Sequence, residues 1–110
     1  MQTFIAGKQF EVSDRLRLYI EGKAVKLVRF YDPIIDCHVT AYEEHQRRIV
    51  DIVVHVHGYM LKATDEAETV YAAVDGAMEK MARQLKKLHG KRRDHRGVEV
   101  DLVEAEAKRA

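Results

Sequence analysis

Lys80, Arg83, Lys87 and Lys91 recur at offsets of three and four in the C-terminal half of the chain. Cations at that period share one face of a helix, and such a row suits the recognition of phosphates. Arginine offers a planar fork for two phosphate oxygens, whereas lysine acts as a point charge. From Lys80 to Leu88 there is no Asp or Glu, although Glu79 stands next to the span. On this reading i,i+4 salt bridges cannot neutralise the row. The basic character continues through Lys91, Arg92, Arg93 and Arg96, opposed only by Asp94. The whole chain carries a formal net charge of +1, so the cations are segregated rather than abundant. The plainer alternative is a solvated helix face whose last cations favour the macrodipole. Structured RNA is the polyanion that a helix with one basic face and one buried face suits.

A second chemistry is conceivable at the histidines. His38, His55 and His57 fall on one side of alternating segments, and Cys37 adjoins His38. Strand alternation turns Cys37 to the opposite side, which removes the soft ligand. No carboxylate at a recognised metal-motif spacing accompanies the histidines, so the pattern argues against a zinc or iron centre. A metal-dependent enzyme is the rival functional class. No nucleophile, base and orienting group assemble into a catalytic set, and neither catalysis nor a cofactor is expected.

These residues need elements to position them. Val70, Val74, Ala77, Met78, Met81, Leu85 and Leu88 form an apolar stripe at helical period, beside the cation row. Asp65 with Glu68 three residues later reads as the cap of this helix, and Gly90 as its stop. An earlier helix starts at the cap Ser13 and runs to about Phe30, burying Leu16, Ile20, Ala24, Leu27 and Tyr31. Asp32-Pro33 ends it. Thr3 to Ala6 reads as a first strand. From Ile34 the period becomes two: Ile35, Cys37, Val39 and Ala41 face the core, while Asp36, His38, Thr40 and Tyr42 face out. Glu43 to Arg47 reads as a turn. Val50, Ile52, Val54 and Val56 then mark a strand, Gly58 a turn, and Leu61 and Ala63 a last strand.

The predicted order is β-α-β-β-β-α, an α+β two-layer sandwich. Its four-stranded sheet should be mostly antiparallel, with both helices on one face and the other face wet. At 110 residues the chain suits one small domain, expected over 1–90, followed by a basic-then-acidic, mobile tail over 91–110. Within the tail, Val98 to Val103 alternates with acids and could make a brief strand. No apolar run approaches a membrane span, no signal peptide is visible, and Cys37 is the only cysteine. A reducing cytoplasm is the expected home.

The segments Val70-Tyr71-Ala72-Ala73-Val74-Asp75 and Lys80-Met81-Ala82-Arg83-Gln84-Leu85-Lys86-Lys87 resemble signatures of a known family. So do Leu16-Arg17-Leu18-Tyr19-Ile20 with Lys23, Lys26, Leu27 and Phe30-Tyr31-Asp32, and Val54-His55-Val56-His57-Gly58. Together, in this order, they are similar to the ribosome hibernation promoting factors and the related ribosome-associated translation inhibitor. The turn at Glu43 to Arg48 and Tyr59-Met60 depart from that pattern. The resemblance implies a fold like double-stranded-RNA-binding domains. It implies binding to the small ribosomal subunit near the decoding centre, where the protein would exclude mRNA and tRNA without making or breaking a bond. By the same analogy Lys23, Lys26, Lys80, Arg83, Lys86 and Lys87 would contact rRNA, and Gln84 would supply a sugar or base hydrogen bond. Lys91 and Arg92 extend the row. Tyr71 is expected to pack rather than stack on a base. The implied partners are the small subunit and a second small ribosome-dimerising protein, with the free protein a monomer. Short members promote ribosome dimers, and the short promoting type is the expectation here. The inhibitor-type relative, which opposes dimers, is the alternative.

Overall fold

Residues 1–94 are described by a computed structural model. Their order is β1 Gln2–Lys8, α1 Asp14–Ala24, a 3₁₀ segment Val25–Arg29, β2 Asp36–Glu44, β3 Arg47–Val56, β4 Tyr59–Ala67 and α2 Val70–Asp94. The sheet runs β1-β2-β3-β4. The α1 crossover makes β1 and β2 parallel, whereas the two hairpins make β2–β3 and β3–β4 antiparallel. The expected α+β sandwich with a mostly antiparallel sheet is therefore the observed one. The tail expected beyond Gly90 lies, from residue 95 on, outside the described residues, and with it the possible strand at 98–103.

Alternation decides which face of the sheet is dry. Cys37, Val39, Ala41, Val50, Ile52, Val54, Leu61 and Ala63 are all essentially inaccessible. They meet Leu16, Ile20, Ala24 and Leu27 from the first helical region and Val74, Ala77, Met81, Leu85 and Leu88 from α2. Each large side chain buried in this layer contributes about 1.5–3 kcal/mol relative to exposure. No described helix is long and apolar enough to cross a membrane.

Several boundaries differ from the sequence expectation, each for a physical reason. The first helix is α-helical only to Ala24, then tightens into 3₁₀ turns, and Phe30 N–H closes on the Leu27 carbonyl at 3.0 Å. Tightened last turns are a common way to satisfy terminal carbonyls. Ile35 is 55% exposed because β2 starts one residue later, and Ile34 takes the buried place. The β2–β3 turn is only His45-Gln46, both with positive φ (52° and 66°), the pattern of a type I′ hairpin. Asp65 does not cap α2, because β4 continues through it to Ala67, paired with Arg48. Thr69 is the cap: its hydroxyl accepts from Ala72 N–H at 3.1 Å, and its carbonyl accepts from Ala73 N–H. Gly90 does not stop α2, which runs to Asp94. Leu88 remains buried there, and His89 meets the Tyr31 ring edge-on at 6.3 Å. These contacts anchor the helix up to the glycine.

Candidate nucleic-acid interface

Both helices lie on one face of the sheet, so their outward surfaces form a continuous front. Two open grooves run along α2. One, about 360 Å³, lies between the helices and is lined by Lys23, Lys26, Leu27 and Phe30 against Asp75, Met78, Glu79 and Ala82. The other, about 410 Å³, lies on the far side of α2 and is lined by Lys80, Arg83, Gln84 and Lys87. The helical period thus sorts the predicted cations into two sets. Lys86 belongs with the first, because its Nζ sits 5.4 Å from the centre of the Phe30 ring.

Individual side chains are held by specific partners. Lys23 Nζ lies 3.3 Å from Asp75, and Tyr19 donates its hydroxyl to the same carboxylate at 2.5 Å. This set ties α1 to α2. Tyr71 packs its ring edge against Tyr19 at 5.0 Å, in keeping with a packing role. Asp75 raises the Tyr19 pKa above its ordinary value, mainly by accepting a hydrogen bond from the hydroxyl, and raises that of Lys23 through the ammonium's own hydrogen bond to the carboxylate.

Lys80 Nζ donates to the Thr64 carbonyl at 2.9 Å and lies 3.4 Å from Asp65. Gln84 Nε2 donates to the Lys62 carbonyl at 2.7 Å, while its Oε1 is buried without a partner among the described residues. Both carbonyls lie on β4, an edge strand, so α2 side chains cover an edge that would otherwise be open to pairing. Gly76 makes room for the same approach, because a Cβ there would displace the Asp65 carboxylate. Arg83 pairs with Glu79 at 2.6 Å, but both are well exposed and the pair is weak. The expectation that i,i+4 salt bridges leave the row alone is corrected: Glu79, one residue before the 80–88 span, pairs with Arg83, and Asp65 reaches Lys80 from β4. Lys91 is half-buried, and its Nζ has no hydrogen-bond partner among the described residues. Arg92 lies near the end of α2, and its side chain falls outside the described set.

The wet face of the sheet carries the histidines. His55 Nδ1 and Asp36 Oδ1 lie 2.5 Å apart, and His38 Nε2 is 3.4 Å from the same oxygen. The His55 contact, then His38, holds the Asp36 carboxyl below its ordinary pKa. His57 is in the β3–β4 turn and is not one of the three grouped residues. Cys37 points into the core as expected, and burial pushes its thiol up to about 11. The sequence shows no carboxylate at a recognised metal-motif spacing, but the fold brings one beside the histidines. Asp36 is that carboxylate, two residues from His38 and directly across the ladder from His55.

A sequence model described as "Sigma 54 modulation protein / S30EA ribosomal protein" matches residues 4–93. The chain belongs to this family. Within it, the chain is 35% identical over 95 residues to the "Ribosome hibernation promoting factor" of Escherichia coli (strain K12), spanning 86% of this chain and all of that protein. The factor of the same name from Azotobacter vinelandii is 38% identical over 85 residues, 77% of this chain and 79% of that one. Among solved structures, a ribosomal subunit interface protein from Coxiella burnetii is similar with a TM-score of 0.75 and 30% identity. It covers 83% of this chain and all of that one. The N-terminal domain of Thermus thermophilus Protein Y has a TM-score of 0.74 and 26% identity, covering 80% and 99%. The family match extends through both grooves and the α2 cations up to residue 93.

Proposed function

We propose that this protein is a ribosome hibernation factor that docks its helical front on the rRNA of the small subunit near the decoding centre and excludes mRNA and tRNA. The observation that carries the reading is the pair of cation-lined grooves flanking α2. The names of its relatives, hibernation promoting factor and subunit interface protein, support it. Lys26, Lys86, Arg83 and Lys87 are the leading phosphate contacts. Lys23 and Lys80 contribute charge while also holding the fold. Gln84 serves chiefly the β4 edge. Lys91 and Arg92 extend the positive field at the end of α2. The protein acts in the cytoplasm during stress or stationary phase. It binds as a monomer and promotes ribosome dimers together with a second small protein.

Occlusion has a stoichiometric signature. Titrated into a translation assay, the protein should inhibit in proportion to the fraction of small subunits it occupies, and excess tRNA should relieve the block. Complete and irreversible inhibition at far less than one molecule per ribosome would contradict occlusion and point to catalysis. Sucrose-gradient profiles of stationary-phase ribosomes, with and without the protein, then separate promotion of dimers from the inhibitor-type behaviour.

A further inference from the structure

We propose that Asp36, His38 and His55 form a binding site for a late first-row divalent cation, zinc foremost, on the open face of the sheet. One ligand atom from each lies within 4.8 Å of the others. A tetrahedral ion with bonds of about 2.0–2.2 Å needs donors about 3.4 Å apart. The His38 Nε2 to Asp36 Oδ1 distance is 3.4 Å. The His55 Nδ1 to Asp36 Oδ1 distance is 2.5 Å and has to open by about 1 Å, within reach of a small side-chain rotation. In doing so the ion takes the place of the proton between these atoms, and a neutral His55 then carries its N–H on Nε2.

The frame is stiff. Asp36 and His55 are ladder partners, and His38 is two residues along the same strand, so all three side chains leave one face. Phe4 stacks on the His38 ring at 4.7 Å and 17°, which limits its rotation. The side chains are 23%, 44% and 37% exposed, so an ion can reach them from water. Two imidazoles and one carboxylate suit zinc, nickel or copper rather than magnesium or calcium. A hydrogen bond that only stabilises the start of β2 would account for His55 and Asp36. Strand alternation and the Phe4 stack put His38 on the same face, and the metal reading adds a use for its Nε2 at 3.4 Å from the same oxygen. Three protein donors leave at least one position for water or a donor from another molecule, on the face turned away from the helices.

Zinc alone is the probe. The full chain, stripped with chelator and dialysed against buffered zinc, should bind one equivalent at this site and show a raised Tm. His38→Ala and His55→Ala should each weaken binding roughly tenfold or more, and Asp36→Asn should do the same. His45→Ala, in the turn at the opposite end of the β2–β3 hairpin, should bind as the parent does. Circular dichroism verifies the fold of each variant. If His55→Ala does not fold, His38→Gln, at an exposed position and similar in length, carries the test by itself. Absence of zinc binding by the parent, or binding unchanged in folded His38 variants, overturns the proposal.

Discussion

Asp75 shows how much one carboxylate can organise. It accepts from Tyr19 and pairs with Lys23, joining the two helices at the mouth of the groove between them. Both partners have raised pKa values in the fold, from ordinary values of 10.0 and 10.5. A raised folded value means that the folded state holds the proton more tightly. The stabilisation is therefore complete below about pH 10 and is lost as pH rises through the folded values. Asp75→Asn should melt below the parent at pH 8, and the difference should shrink as pH climbs beyond about 10.5. A gap that stays constant across that window in pH-dependent melts would show that the set stores no such linkage. Neither Tyr19–Asp75 nor Asp36–His55 is local in sequence. The sequence places Asp36 and His38 on one side of a strand, but only the β2–β3 register reveals that His55 faces Asp36.

At the scale of elements, periodicity carries most of the information. The stripes Leu16-Ile20-Ala24-Leu27 and Val74-Ala77-Met81-Leu85 are buried as their spacing predicts, and the alternation in β2 and from Val50 on in β3 separates core from wet face, whereas Ile49 is buried beside Val50. Local signals fail where a tertiary pairing outweighs them. Asp65 and Glu68 match a capping pattern, yet pairing with β3 draws Asp65 into β4 and leaves the cap to Thr69. The His45-Gln46 turn lacks the Asn or Gly that usually marks a type I′ hairpin, so its two-residue length is not readable in advance. The seam of α2 along β4 is equally hidden, because it depends on Lys80 and Gln84 reaching carbonyls of Thr64 and Lys62. Two predictions test that seam. Gly76→Ala should push the Asp65 carboxylate off Lys80 and lower the urea midpoint slightly at unchanged m, the loss being offset in part by the ~1 kcal/mol that alanine gains over glycine in a helix. Gln84→Ala should cost about 1 kcal/mol through the unpaired Lys62 carbonyl, checked by the same titration. Midpoints equal to the parent's would mean that the helix does not hold the edge.

For the whole molecule, charge is nearly balanced in sum but divided in space. A net charge of +1 conceals a front on which Lys26, Arg83, Lys86 and Lys87 gather and a sheet face with a separate polar chemistry. If roughly five or six phosphates are neutralised, log affinity for small subunits should fall with log salt with a slope on the order of −4, taking about 0.7 per contact. A nearly flat response would assign the affinity to shape or protein contacts instead. The most direct measurement compares two charge reversals of equal size. Arg83→Glu with Lys87→Glu alters the helical front without touching the Lys80 seam, whereas Lys8→Glu with Lys62→Glu alters side chains on the open face of the sheet. Co-sedimentation with purified small subunits should be lost in the first folded variant and kept in the second. Equal retention by both, or loss only in the second, would contradict docking through the helices.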